Sequence, residues 1–270
     1  MPTAHINGID LYYELHGENG EPLVLVHGYT GDITDWRFQV AELSRTHRVL
    51  VFDHRGHGRS AAPAERSAYT IEQMADDVEG LAARAGWERY HLVGHSMGGA
   101  VVQEVALRTP HRLMSLTLHD SGNRPAGRDD TLAAVIASTH KIAEEQGMAA
   151  VAALYAMLPL GNMPPERREE EIQRLTKMSV EAYIGAWGAL ENWQGSVGRA
   201  RAITVPTMVI YGENDGRFLV DAALELAAEI PGARLEMVPG AGHSPQYERP
   251  EIFNAALRRH LERNAGGAPS

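Results

Sequence analysis

Cysteine is missing from all 270 residues. That excludes a disulfide framework and any thiolate metal site. Basic residues are in deficit: 25 Lys and Arg face 35 Asp and Glu, a formal net charge of -10. Such a chain repels phosphate backbones and anionic headgroups, so neither nucleic acid nor a membrane is expected as a partner. No apolar run is long enough to cross a bilayer. The opening MPTAHINGIDLYYELHG has neither the basic start nor the apolar segment of a signal peptide. Asn-x-Ser/Thr acceptors and internal repeats are also lacking. These absences lead to the expectation of a cytoplasmic protein acting on a small molecule. Nothing in the sequence sets its oligomeric state.

What is present is alternation. Residues 22–26, 47–52, 90–93, 113–118, 207–211 and 234–238 are short apolar runs of the kind covered on both faces of a parallel sheet. Helical periods stand between them, at 34–44, 70–85, 100–107, 219–230 and 250–263. Thr70 followed by Gln73 is a capping-box start. Asn7-Gly8, between two short strand-like runs, signals an antiparallel hairpin at one edge. Residues 122–204 break this rhythm. They carry four helical periods and no clear strand run, and are too long for a connection inside a compact domain. The expectation is an α/β protein with a doubly wound, mostly parallel sheet built from 1–121 and 205–264. A helical cap would occupy 122–204, and 265–270 would be a disordered tail.

The stretch LVGHSMGGA, residues 92–100, holds the most chemistry. It sets Ser96 on a tight turn between a buried strand and a helix, and Gly94 and Gly98 leave room for that turn. The following helix aims its free N–H groups and positive end at the same place, a ready site for an anion. The pattern Gly-x-Ser-x-Gly in this setting is a nucleophile elbow. A serine hydroxyl is a weak nucleophile at neutral pH and needs a base. His243, in a turn after the run 234–238, and Asp215, in a glycine-bounded turn after 207–211, supply base and acid in the chain order this elbow requires. The segment 53–60, DHRGHGRS, holds two weaker signals. Gly56-x-Gly58-x-x-Ala61 fits a loose dinucleotide fingerprint, but Pro63 and a polar loop follow in place of a helix. His54 and His57 lack a supporting carboxylate-rich helix and read as loop hydrogen-bonders.

With these groups in order, the whole chain resembles the α/β-hydrolase superfamily. The resemblance is carried by HGYTG (27–31), DHRGHGRS (53–60), GHSMGG (94–99), YGENDG (211–216) and GAGHSPQYERPEIF (240–253). Within the superfamily the chain looks most like small bacterial carboxylesterases, enol-lactonases, C–C bond hydrolases and cofactor-free haloperoxidases. Acyl transfer places negative charge on a carbonyl oxygen, which needs preformed N–H donors. Met97, next after the nucleophile, offers one; the resemblance assigns the other to Tyr29. Some relatives carry the acid after the strand that follows the elbow, which makes Asp120 the rival of Asp215. No metal and no organic cofactor is implied.

The expected reaction is hydrolysis of carboxylic esters, lactones included, of small to medium size through an acyl-enzyme on Ser96. One alternative is C–C bond hydrolysis of diketones. Relatives of that kind usually show Asn before the serine and an aromatic after the histidine, where this chain has His95 and Ser244. The other is a slow-turnover ligand receptor on the same fold. Met157, Leu158, Tyr183, Trp187 and Trp193 are expected as pocket walls, with Trp36 and Phe218 near the mouth.

Overall fold

The computed structural model describes residues 2–127, 130–157 and 165–266, with backbone alone at 130–132. β1 (Thr3–Ile6) and β2 (Ile9–His16) form the hairpin. Asn7 and Gly8 sit at its tip with φ of 48° and 81°, the left-handed pair that matches strand twist in a two-residue turn. Then come β3 (Pro22–Val26), α1 (Arg37–Leu43), β4 (Arg48–Phe52), α2 (Ile71–Arg84) and β5 (Tyr90–His95). The Thr70 hydroxyl caps α2 by accepting the Gln73 N–H at 3.1 Å. α3 (Met97–Arg108) and β6 (Leu113–His119) complete the first part of the sheet.

Between β6 and β7 run α4 (Asp130–Gln146), α5 (Met148–Met157), α6 (Pro165–Lys177) and α7 (Val180–Asn192), with no strand among the described residues of this stretch. β7 (Thr207–Gly212), α8 (Arg217–Glu229), β8 (Arg234–Val238), a single turn α9 (Pro245–Glu248) and α10 (Pro250–Arg263) close the chain. Of the tail, Gly266 donates its N–H to Glu21 at 2.6 Å, and 267–270 lie outside the described residues.

Eight strands make one sheet in the order β1-β2-β4-β3-β5-β6-β7-β8. β1, β2 and β4 pair antiparallel in turn, and every other neighbouring pair is parallel. The apolar runs are continuous because both faces are covered. Along β3, Leu23 and Leu25 enter one core with Trp36, Leu43, Phe253 and Leu257, while Val24 and Val26 enter the other with α2 and α3. β4 repeats the alternation, with Val49 and Val51 on one side and Leu50 and Phe52 on the other. Each such side chain contributes about 1.5–3 kcal/mol when fully buried. The parallel strands all end on one edge. The loops after β3, β5, β6, β7 and β8 therefore converge there, where open α/β sheets bind ligands.

Candidate active site

Ser96 follows β5 directly and precedes the first residue of α3. Its backbone is strained, φ 53° and ψ -114°. A non-glycine residue there costs on the order of 1–3 kcal/mol and persists only where its surroundings impose it. Here they do. The Ser96 N–H donates to the His119 carbonyl at 2.9 Å, and its own carbonyl accepts from Gly99 at 2.9 Å. A side chain on Gly98 would lie 2.4 Å from the Val26 carbonyl oxygen, so only glycine lets α3 start this close to β3.

The Ser96 hydroxyl lies 3.1 Å from His243 Nε2. On the far side of the ring, Nδ1 lies 3.1 and 3.0 Å from the two Asp215 carboxylate oxygens. Burial alone would push the His243 ring toward its neutral form, but the hydrogen bond and charge of Asp215 win, and its pKa is raised. Asp215 is conversely lowered: burial raises it, and bonding to His243 more than offsets this. Oδ1 of Asp215 also accepts the Gly216 N–H at 2.6 Å. The histidine loop is fixed from two sides. Glu248 accepts the N–H groups of Gly242 and Ser244 at 2.9 and 3.0 Å, and His95 Nε2 lies 2.8 Å from the His243 carbonyl. A hydroxyl, an imidazole and a carboxylate in this line can pass a proton from the hydroxyl to the ring and hold the resulting cation.

Asp120 does not touch the imidazole through a hydrogen bond. It lies behind Asp215, 1% exposed, with Oδ1 accepting the Gly212 N–H at 2.9 Å.

The loop after β3 passes beside the hydroxyl. A Cβ on Gly28 would stand 3.1 Å from the Ser96 Cβ. The backbone N–H groups of Tyr29 and Met97 make no hydrogen bond to any described residue, which leaves both available to an incoming anion. Thr30, at φ 59°, donates its N–H to His57 Nε2 at 3.3 Å, and His57 Nδ1–H donates to the Arg55 carbonyl at 3.0 Å. Burial holds the His57 ring neutral, its pKa lowered to about 3, so one nitrogen can accept. His27 receives the His54 N–H at 3.0 Å. Asp53 accepts from Ile33 and Arg59 at 2.9 and 2.8 Å. The first five residues of the DHRGHGRS segment are thus a buried brace for the Gly28–Thr30 loop. The His54 ring makes no hydrogen bond among the described residues and packs edge-on against His27 and Phe52.

A cavity of about 550 Å³ opens over Ser96 and His243. Its walls differ from those expected. The inserted helices contribute Tyr155, Arg167, Glu171 and Arg174, and the core side adds Asp35, Tyr247 and Glu248. None of Trp36, Met157, Tyr183, Trp187, Trp193 or Phe218 lines it. Trp36 and Trp193 are fully buried, the first near His119 and Phe253, the second bonded through Nε1 to Glu104 at 2.7 Å. Tyr183 and Trp187 pack on the Tyr29 ring at 5.5 and 5.6 Å. Met157 and Phe218 are exposed, at 81% and 50%. Leu158 lies outside the described residues.

The physical reason for the displaced aromatics is local. Gly185 packs α7 against the Tyr69 ring, where an added Cβ would stand at 2.5 Å. Tyr183 and Trp187 lie on the other side of α7 from Gly185, and the Tyr29 ring covers them. The wall is formed instead by α6, whose residues 167, 171 and 174 share one face at i, i+4, i+7 spacing. Arg167 and Arg174 pair with Asp35 at 2.7 and 2.6 Å and with Glu171 at 3.0 and 3.7 Å. Arg167 and Glu171 of this stripe belong to a run of charges, ERREEE, with Arg174 three residues beyond it.

Comparisons with known proteins agree with this architecture. The family model described as the alpha/beta hydrolase fold matches residues 21–250. RutD from Azorhizobium caulinodans, which carries the provisional name of carbamate hydrolase, is 31% identical over 95% of this chain and 97% of its own. The solved enol-lactonase of Burkholderia xenovorans LB400 superposes with a TM-score of 0.86 at 30% identity, covering 97% of this chain and all of that one. A thermophilic esterase from Thermogutta terrifontis gives 0.85 at 28% identity, with 98% of each chain covered. The chain therefore belongs to the α/β-hydrolase family.

Proposed function

We propose that this protein is a serine hydrolase cleaving carboxylic esters, lactones included, of small and polar substrates through an acyl-enzyme on Ser96. The observation that carries the reading is the continuous line from the Ser96 hydroxyl through both nitrogens of His243 to Asp215. Ser96 Oγ attacks the carbonyl carbon while His243 Nε2 takes the hydroxyl proton. The carbonyl oxygen becomes an anion facing the N–H groups of Tyr29 and Met97, each worth about 3 kcal/mol in the transition state. Collapse breaks the bond to the alkoxy oxygen, and that oxygen leaves with the proton from His243. Water then repeats the sequence on the acyl-enzyme, returning the acid and free Ser96. Asp215 holds the tautomer with Nδ1 protonated throughout.

The cavity supports the restriction on substrate. The charged part of its wall, Asp35, Arg167, Glu171 and Arg174, would lose hydration to a long acyl chain without gaining partners. Helices α4–α7 act as the cap, of which α5 and α6 line the cavity. Relatives named for esters, enol-lactones and carbamates make a panel of all three, with a diketone added, the deciding experiment. Short acyl esters should turn over, longer acyl chains should fall by about tenfold or more, and Ser96→Ala should abolish both. Undiminished hydrolysis by Ser96→Ala would refute the reading, and turnover confined to the diketone would replace it with C–C cleavage.

A further inference from the structure

Behind Asp215 lies a second carboxyl group that the proton relay leaves unused. We propose that Asp120 is a positioning residue, a neutral carboxylic acid that donates its Oδ2 proton to the Asp215 carboxylate and so holds the group that orients His243. The inference rests on the reading of Ser96, Asp215 and His243 as the reacting line.

The geometry leaves Oδ2 little else to be. Asp120 sits at the end of β6 with φ 42°, a left-handed conformation. Its N–H donates to the Ile210 carbonyl and its Oδ1 accepts from Gly212, so β7, the strand that leads to Asp215, grips it at two points. An oxygen of Asp120, an oxygen of Asp215 and a nitrogen of His243 all lie within 4.8 Å of one another. Two carboxylates so close cannot both stay ionised without a large energetic cost. Oδ2 has no hydrogen-bond donor among the described residues. His119 Nδ1 stands 2.8 Å away but off the axis of a hydrogen bond. It is also the wrong partner for an anion. His119 Nε2 lies 2.7 Å from the Gln246 side-chain oxygen and must donate to it, which leaves Nδ1 a bare lone pair.

The groups facing the Asp120 carboxyl are thus Asp215 after β7, His243 after β8 and His119 on β6, with the His95 ring of β5 stacked beyond His119. Burial keeps His119 neutral, its pKa lowered to about 3. Burial and the neighbouring Asp215 hold Asp120 well above the usual carboxylate range, against the weaker pull of His243. An acid kept neutral at pH 7 by an apolar site can donate, and an ionised one cannot.

Two variants and one spectrum test this. Asp120→Asn keeps an acceptor for Gly212 and a neutral donor toward Asp215; Asp120→Ala removes both. The alanine variant should lose about tenfold or more in kcat with KM little altered, and Asp120→Asn should restore most of that loss. The acid limb of kcat/KM should stay in place in Asp120→Asn, because no charge has been removed. Infrared difference spectra of the intact protein at neutral pH should show a protonated carboxyl band that Asp120→Asn lacks.

An acid limb moved down by about one pH unit in Asp120→Asn would show that an anion had been lost from beside the imidazole, and overturn the proposal. So would full kcat in Asp120→Ala, or absence of the infrared band. Should Asp120→Ala not fold, the asparagine profile and the spectrum decide. The infrared band does not depend on turnover, so failure of the serine-hydrolase reading shows separately, as activity surviving in Ser96→Ala.

Discussion

Replacing Asp215 by asparagine is the sharpest perturbation of the site. The change removes one charge and almost no volume. Oδ1 accepts the Gly216 N–H at 2.6 Å, so the amide must put its oxygen there and its NH2 group at the Oδ2 position. That places an N–H donor 3.0 Å from His243 Nδ1. Nδ1 then accepts, the ring proton moves to Nε2, and the nitrogen 3.1 Å from Ser96 can no longer take a proton. In the serine-protease triad that serves as the general reference, the same exchange lowers kcat about 10⁴-fold, and the geometry here leads to a loss of that order. The assay is hydrolysis of a short nitrophenyl ester, with circular dichroism to show retained folding. KM should change far less than kcat, since the amide touches no substrate. A variant keeping more than about a tenth of wild-type kcat would refute the reasoning and transfer the acid's role to Asp120.

Two further expectations follow from the same structure. The raised pKa of His243 places the acid limb of kcat/KM above the ordinary histidine value of about 6.5, because the base must be neutral to act. A pH profile with its limb below that value would contradict the Asp215 contact. Asp35 ties α6 to the loop after β3 by pairing with Arg174 and Arg167, which hold its carboxyl well below the usual range although burial opposes them. Asp35→Asn should cost about 3 kcal/mol, since breaking a buried pair strands its partners. At about 2–4 °C per kcal/mol for a chain of this size, Tm should fall by roughly 8 °C at pH 7. A depressed carboxylate stabilises above its unfolded pKa of about 4 and loses that contribution as pH falls toward the folded value. The gap in Tm between wild type and variant should therefore close below about pH 4, and a gap independent of pH would refute the ionic origin.

The parts of this protein legible from residues alone are those set by local rules. Strand alternation, the Asn7-Gly8 turn, the Thr70 cap and the glycines around Ser96 are fixed by backbone sterics and side-chain period over a few positions. They carried the sheet, the inserted helices and the order Ser96, Asp215, His243. Tertiary structure decided what each face meets. A helical wheel marks an aromatic stripe on α7, but only the tertiary structure shows that the Tyr29 ring covers it. On α6 the sequence does not name the partner of its charges: Asp35, far away in sequence, draws Arg167 and Arg174 into the cavity wall. Likewise, the sequence sets Asp215 ahead of Asp120 only through its glycine-bounded turn after a strand. The burial of one and the imidazole beside the other separate them, because a carboxyl group's charge is decided by its surroundings.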